Sequence, residues 1–259
     1  MDNNRQLGRL PAVLDERVPA MAVHMPFASL PPPPRNINWY ADVGDWPMLM
    51  NNIRGNCVIA AAGHYVQQVT TYQDAPRIMT DAEADTAYQA VNNWTPTAAD
   101  TVGPGTYVLG PNGLLQYWRT KGLMIGGALH RCGPAARVDI RDEEQIAQAI
   151  DVFGGLLVGV TLREDAYNAD FLMDSPGGRV ISGHEVWVNG LETLASGYRV
   201  YDIVSWGMRM RITGPVLQAL IEEAQIIIDT DDMAARGHDP ADVPIATLEA
   251  TMATNFPSA

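Results

Sequence analysis

Basic residues are scarce in this chain. Lysine and arginine total 17 against 30 aspartates and glutamates, a formal net charge of -13 over 259 residues. Binding a phosphate backbone needs clustered cations, so this balance argues against DNA or RNA as a partner. Cysteine is scarcer still, with only Cys57 and Cys132. Two cysteines make no disulfide framework, and no Cys/His cluster stands at metal-ligand spacing, so neither a metal nor another cofactor is expected. A reducing compartment fits, and a thiol is free to react. Long apolar runs are missing as well. The longest, FGGLLVGVTL, is too short to span a bilayer, and the opening MDNNRQLGRL lacks the apolar core of a signal peptide. A chain kept in solution, away from membranes, is the expectation. No internal repeat is visible. What remains is a 47% hydrophobic content, enough for a sizeable core.

Three regions differ in pattern. Residues 1–45 show little periodicity and carry four prolines at 31–34, which favour an extended polyproline II segment. They read as an arm laid on or away from the main domain, or as an ordinary surface linker. Residues 46–230 hold the periodic segments. Residues 231–259 form an acidic tail with weak periodicity. Extensions of this kind order on a partner, so removing residues 1–34 should leave the domain's melting temperature nearly unchanged.

Within the main domain the first half is helical. Val58, Ala62, Tyr65, Val66 and Val69 follow helical spacing after Asn56, a good N-cap residue. Thr80 and Glu83 predict a capping box for a second helix through Ala84, Ala87, Tyr88 and Val91. A short helix over 114–121 stops at Gly122. Ile146, Ala149, Ile150 and Phe153 then mark an amphipathic helix ended by Gly154-Gly155. Beyond it the period changes. LLVGVTL reads as a strand, and HEVWVNGLE and YRVYDIVSW read as an antiparallel hairpin joined by LASG. A helix with Pro215 in its first turn follows, and then AQIIID as an edge strand.

Cys57 falls in the first turn of the first helix, where the peptide dipoles lower a thiol pKa. A buried cysteine is also an ordinary small core residue, so a nucleophile needs a base. His64 lies seven residues along the same helix, about 10 Å up the axis, out of reach of the thiol. It reads as structural. His184 opens a predicted strand after a glycine-containing turn, either as a base meeting the helix start or as a residue that only caps the strand. Cys132 has no motif around it.

The order of these parts resembles the papain-like cysteine peptidases: a Gly-Asn-Cys helix start, a helical half, SGHEVWVNGLE, then VSWG. LGRLPA, LPPPPRNINWY, LMNNIRGNC, IAQAIDVFGGLLVGVTL, GHEVWV and YDIVSWG together resemble uncharacterised papain-like proteins of phages and prophages, over about residues 7–228. The resemblance implies an α+β fold, a helical half on a twisted antiparallel sheet with the site in the cleft between them. It implies Cys57 as nucleophile, His184 as base and Asn51 as oxyanion donor, although Asn51 also reads as a turn residue. The family's asparagine falls on Val204, which cannot hydrogen-bond. Asp202 shares Val204's face and is the candidate to orient His184, with an edge-strand acid as the plain alternative; Ser205 points the other way and is the weaker candidate. The implied activity is thiol hydrolysis of peptide or amide bonds. Its rival is a papain-fold virion component that has lost catalysis. The implied partners are a peptide or protein substrate, or phage structural proteins touching the two extensions. The implied setting is host cytoplasm or virion.

Overall fold

The computed structural model describes residues 5–25, 30, 32–166, 172–238 and 243–256. At its centre runs α2 (Cys57–Tyr72), buried from Cys57 to Thr70. A helix buried on every side must satisfy its polar residues internally. His64 meets the Pro47 carbonyl at 2.9 Å, and Gln67 donates to the Asp45 carbonyl at 3.0 Å. Gln68 donates to the Gly154 carbonyl at 2.8 Å and accepts from Trp187 and Asn189 at 2.8 and 2.9 Å. These bonds fix the helix against both the loop before it and the sheet. Asn56 holds the N-cap position, but its side chain makes no capping bond. Its amide instead donates to the Leu49 carbonyl at 2.7 Å, in a loop where Leu49 and Met50 have φ of 54° and 62°. Such backbone costs on the order of 1 kcal/mol per residue, and the buried Leu49 side chain and this tie offset it.

α3 (Asp81–Asn92) starts with both halves of the Thr80–Glu83 capping box in place and buries Ala84, Ala87, Tyr88 and Val91. α4 (Leu114–Thr120) follows, and then α5 (Glu143–Phe153), capped by Asp142 and ended by Gly154 in the left-handed region.

The sheet holds β1 (Asn36–Asn38), β4 (Ala135–Arg137), β5 (Leu156–Arg163), β6 (Leu172–Met173), β7 (Val180–Thr193), β8 (Arg199–Ser205), β9 (Met208–Thr213) and β10 (Ile221–Ile227). Their order is β4-β10-β5-β7-β8-β9-β6, with β1 on β7; β2 (Leu123–Ile125) and β3 (Ala128–His130) form a separate ribbon. The predicted hairpin is β7–β8. Every pairing is antiparallel except β6 with β9. β10 is not an edge, because the short β4 covers its other side. α6 (Gly214–Leu220) carries Pro215 in its first turn. The architecture is α+β, helices against a mixed, mostly antiparallel sheet, in line with the expected fold class.

Both flanks pack onto this body. Val18, Met21 and Met25, in and around α1 (Met21–His24), are buried in the core. β1 is hydrogen-bonded to β7. Of the prolines, Pro31 lies outside the described residues, and Pro32–Pro34 have no regular structure. The tail forms α7 (Thr230–Ala235) and α8 (Ile245–Asn255), with Leu248, Met252 and Phe256 buried. The flanks also meet each other, since Asn255 donates to the Arg17 carbonyl at 2.6 Å and the Arg17 guanidinium lies 4.7 Å over Phe256. These apolar anchors argue that removing residues 1–34 would uncover core surface and lower the melting temperature, contrary to the expectation from the sequence.

Candidate active site

α2 begins at Cys57, so its sulfur sits where the helix meets β7 and faces the backbone N–H groups of Glu185 and Gly8. Those donors favour a thiolate. Burial outweighs them, since only 1% of Cys57 is exposed, and pushes the thiol up to about 11. The expected lowering by the helix dipole is therefore reversed. A helix start stabilises an anion by about 0.3–1 kcal/mol at a wet surface, less than desolvation costs here. Cys132 is likewise buried and pushed up to about 12.

His184 is fully buried. Its Nε2 meets the Ser205 hydroxyl at 2.6 Å, and its ring stacks on Trp206, centroids 4.2 Å apart and 13° from parallel. Nδ1 is buried with no hydrogen-bond partner, so imidazole and thiol are not joined. Burial lowers the His184 pKa to about 3, with the Arg9 and Arg5 charges acting the same way. In this form the site holds a neutral thiol and a neutral imidazole.

Ser205, not Asp202, is the group that meets His184. β7 and β8 pair with Trp187 opposite Val204 and Val188 opposite Ile203. Val204 therefore shares the Trp187 face, while Ser205 shares the face of Val186 and His184. Asp202 lies opposite Gly190, beyond a register shift, and its carboxylate is 3.6 Å from both Arg209 and Arg211. It lines a separate polar cavity of about 330 Å³ with Asn36, Glu192 and those two arginines. After Ser205 the chain turns through Trp206 and Gly207, φ 48° and 69°, into Met208, its strand partner. This two-residue turn places the Trp206 ring on the histidine.

Asn51 is buried beside the helix start. Its side-chain amide donates to the carbonyls of Gln6 and Arg54 at 3.3 and 3.2 Å, and its own carbonyl accepts from Gln6 N–H at 2.9 Å. Trp206 Nε1 donates to the same Gln6 carbonyl at 3.1 Å. Both donors are thus engaged by the N-terminal segment.

That segment crosses the site. The Gly8 carbonyl accepts from Thr106 N–H at 2.7 Å, Leu10 N–H donates to the Thr106 carbonyl at 3.0 Å, and Arg9 N–H donates to the Gly183 carbonyl at 3.2 Å. Residues 6–10 are held on both sides like an added strand, with Gly8 over Cys57. A Cβ at Gly8 would fall 1.8 Å from the Gly55 carbonyl oxygen, so only glycine passes there. The Arg9 side chain is buried among Glu185, Glu222 and Glu223. Among the described residues no group of histidine, cysteine or acids has metal-binding geometry.

No family model matches the sequence, and no curated protein matches it. Solved structures do. Xylellain, a cysteine protease from Xylella fastidiosa, superposes with a TM-score of 0.65 at 10% identity, over 87% of this chain and 96% of that one. The fold is that of the papain-like cysteine proteases. A proform of the ragweed pollen protease Amb a 11 (TM-score 0.58, 13% identity, 87% of this chain and 68% of that one) shares it. So does procathepsin B S9 of Trypanosoma congolense (0.55, 11%, 87% of each). Cys57 begins α2 and His184 lies in β7. Ser205 was legible only through strand register. Gly8 and Arg9 had no local signal, because their partners lie up to 214 residues away.

Proposed function

We propose that the chain is a thiol hydrolase of peptide or amide bonds whose resting form is closed by its own residues 6–10. The observation that carries this reading is the path of that segment, which runs Gly8 close against Gly55 beside the start of α2, near Cys57, and puts Arg9 N–H on the Gly183 carbonyl, just before His184. Hydrogen-bonded beside both Cys57 and His184, the segment fills the groove that this reading gives to a peptide substrate. Once the segment lifts, water enters, the burial that raises Cys57 and lowers His184 is relieved, and the pair can ionise together. The thiolate then attacks a carbonyl carbon. The Asn51 amide, freed from Gln6, and the Cys57 N–H hold the oxyanion, and His184, oriented by Ser205, protonates the leaving amine before activating water.

Gly8→Ala tests this, because the added methyl has no room under the strap. Cys57 should then alkylate with iodoacetamide at least about tenfold faster, with Cys132 as internal control, and labelling should persist toward pH 6 only while His184 is present. Cleavage of a casein substrate by Gly8→Ala but not by Gly8→Ala/Cys57→Ser completes the case. An opened Cys57 that labels like an ordinary thiol and cleaves nothing would favour the second reading, a papain-fold protein kept for its shape, as in a phage virion. The buried thiol and the lack of a hydrogen bond between it and His184 Nδ1 support that alternative.

A further inference from the structure

We propose that the pocket around Arg9 is a recognition site for an arginine side chain of a bound peptide, filled here in cis by the chain's own Gly8-Arg9 pair. The proposal rests on reading the cleft as a peptide-binding groove. The guanidinium is completely buried, 2.9 Å from Glu223, in contact with Glu222 and 3.9 Å from Glu185. Its remaining protons go to the carbonyls of Leu10, His184 and Val160 at 2.9, 3.3 and 3.4 Å. The wall is cut to this shape, since a Cβ on Gly159 would lie 2.8 Å from Arg9 Nε.

Two features separate this pocket from a plain structural anchor. The first is stoichiometry, three carboxyl groups for one cation. Burial and the Glu223 charge push Glu185 well above the carboxylate range, and burial also raises Glu223. Both Glu185 oxygens lack a hydrogen-bond partner. The second is position. The residue occupying the pocket donates its N–H to the Gly183 carbonyl, next to His184, and its neighbour Gly8 packs against Gly55 near Cys57, so the pocket reads the side chain adjacent to the reacting centre. Glu222 and Glu223 also wall a cavity of about 410 Å³ shared with the exposed Val13 and Leu14, which gives the acids a second opening. A planar five-donor fork fits these divergent acceptors, whereas a lysine ammonium has three donors at one point.

The test uses the full chain with Arg9→Ala, iodoacetamide labelling of Cys57 read by mass spectrometry, and the acetylated, amidated peptide QLGRLPA. Removing the guanidinium should raise the labelling rate at least about tenfold, equivalent to 1.4 kcal/mol of strap closure. The arginine peptide should restore protection, while peptides with citrulline or lysine at that position should not. Arg9→Lys, which keeps the charge and loses the fork, carries the same comparison should Arg9→Ala fail to fold. Equal protection by arginine and citrulline peptides, protection by neither, or a Cys57 that stays slow in both variants would overturn the proposal. Labelling needs a thiol but no turnover. Arginine-specific protection without cleavage would thus remove the hydrolase reading and keep the pocket, and cleavage without arginine preference would do the reverse.

Discussion

Two buried arginines in this molecule, Arg9 and Arg236, have opposite surroundings. Arg236 has one acid, Asp232, one turn back on its own helix, with bonds of 2.9 and 2.7 Å. Its other protons meet the Asp151 and Val152 carbonyls at the end of α5, and its plane lies 4.7 Å over Trp39. Charge there balances one to one, and the guanidinium fastens α7 to α5. Arg9 faces an excess of acid beside a thiol. A closed, matched cluster is what a structural tie needs; beside Arg9 a third carboxyl group, Glu185, is buried with no hydrogen-bond partner for either oxygen.

That contrast breaks most visibly under truncation. Arg236→Ala should cost about 3–5 kcal/mol, because it strands a buried carboxylate. Urea denaturation should show the loss while Cys57 labelling in the folded state stays at the parent rate. If Arg236→Ala opened Cys57, the division into a structural and an exchangeable arginine would fail. Met21→Ala, at the buried root of the N-terminal flank, should cost about 2–5 kcal/mol by leaving a core cavity. A melting temperature unchanged by this substitution would restore the reading of that flank as a detachable arm. Ser205→Ala is a smaller change, leaving His184 Nε2 buried without its partner at about 1–3 kcal/mol. Imidazole nitrogen NMR should report an altered tautomer balance. Acid should weaken the fold as well. The folded pKa values of His64, lowered by burial to about 4, and His184, about 3, lie below the unfolded 6.5. The unfolded chain thus binds more protons in that window, and stability present above pH 6.5 is lost as the pH falls toward 4 and 3. His64→Asn should flatten the upper part of this slope in pH-dependent melting.

Local rules made much of the body readable. The Thr80–Glu83 box, the α5 stripe closed by Gly154 and the β7–β8 hairpin follow from residues within one or two turns of each other. Cys57 was readable because it opens α2, and His184 because it lies in the alternating run of β7. The histidine's partner was not, since facing depends on register: Trp187 pairs with Val204, so the face of β8 that carries Val204 and Asp202 is turned away from His184, and Ser205 is on the facing side. The core position of β10 was hidden because its neighbour β4 is only three residues long. The flanks looked loose because their anchors, Val18, Met21 and Met25 before and Leu248, Met252 and Phe256 after, follow no long periodic run.

The turn at Trp206-Gly207 carries a consequence for anyone seeking a sturdier version of this protein. A left-handed two-residue turn between antiparallel strands favours asparagine followed by glycine, and tryptophan there is a poor local choice. Substituting asparagine would ease the backbone and strip the indole from His184 and from the Gln6 carbonyl. Sequence optimisation guided by turn statistics would select that change first, and it would trade a sounder hairpin for a wetter, less ordered imidazole.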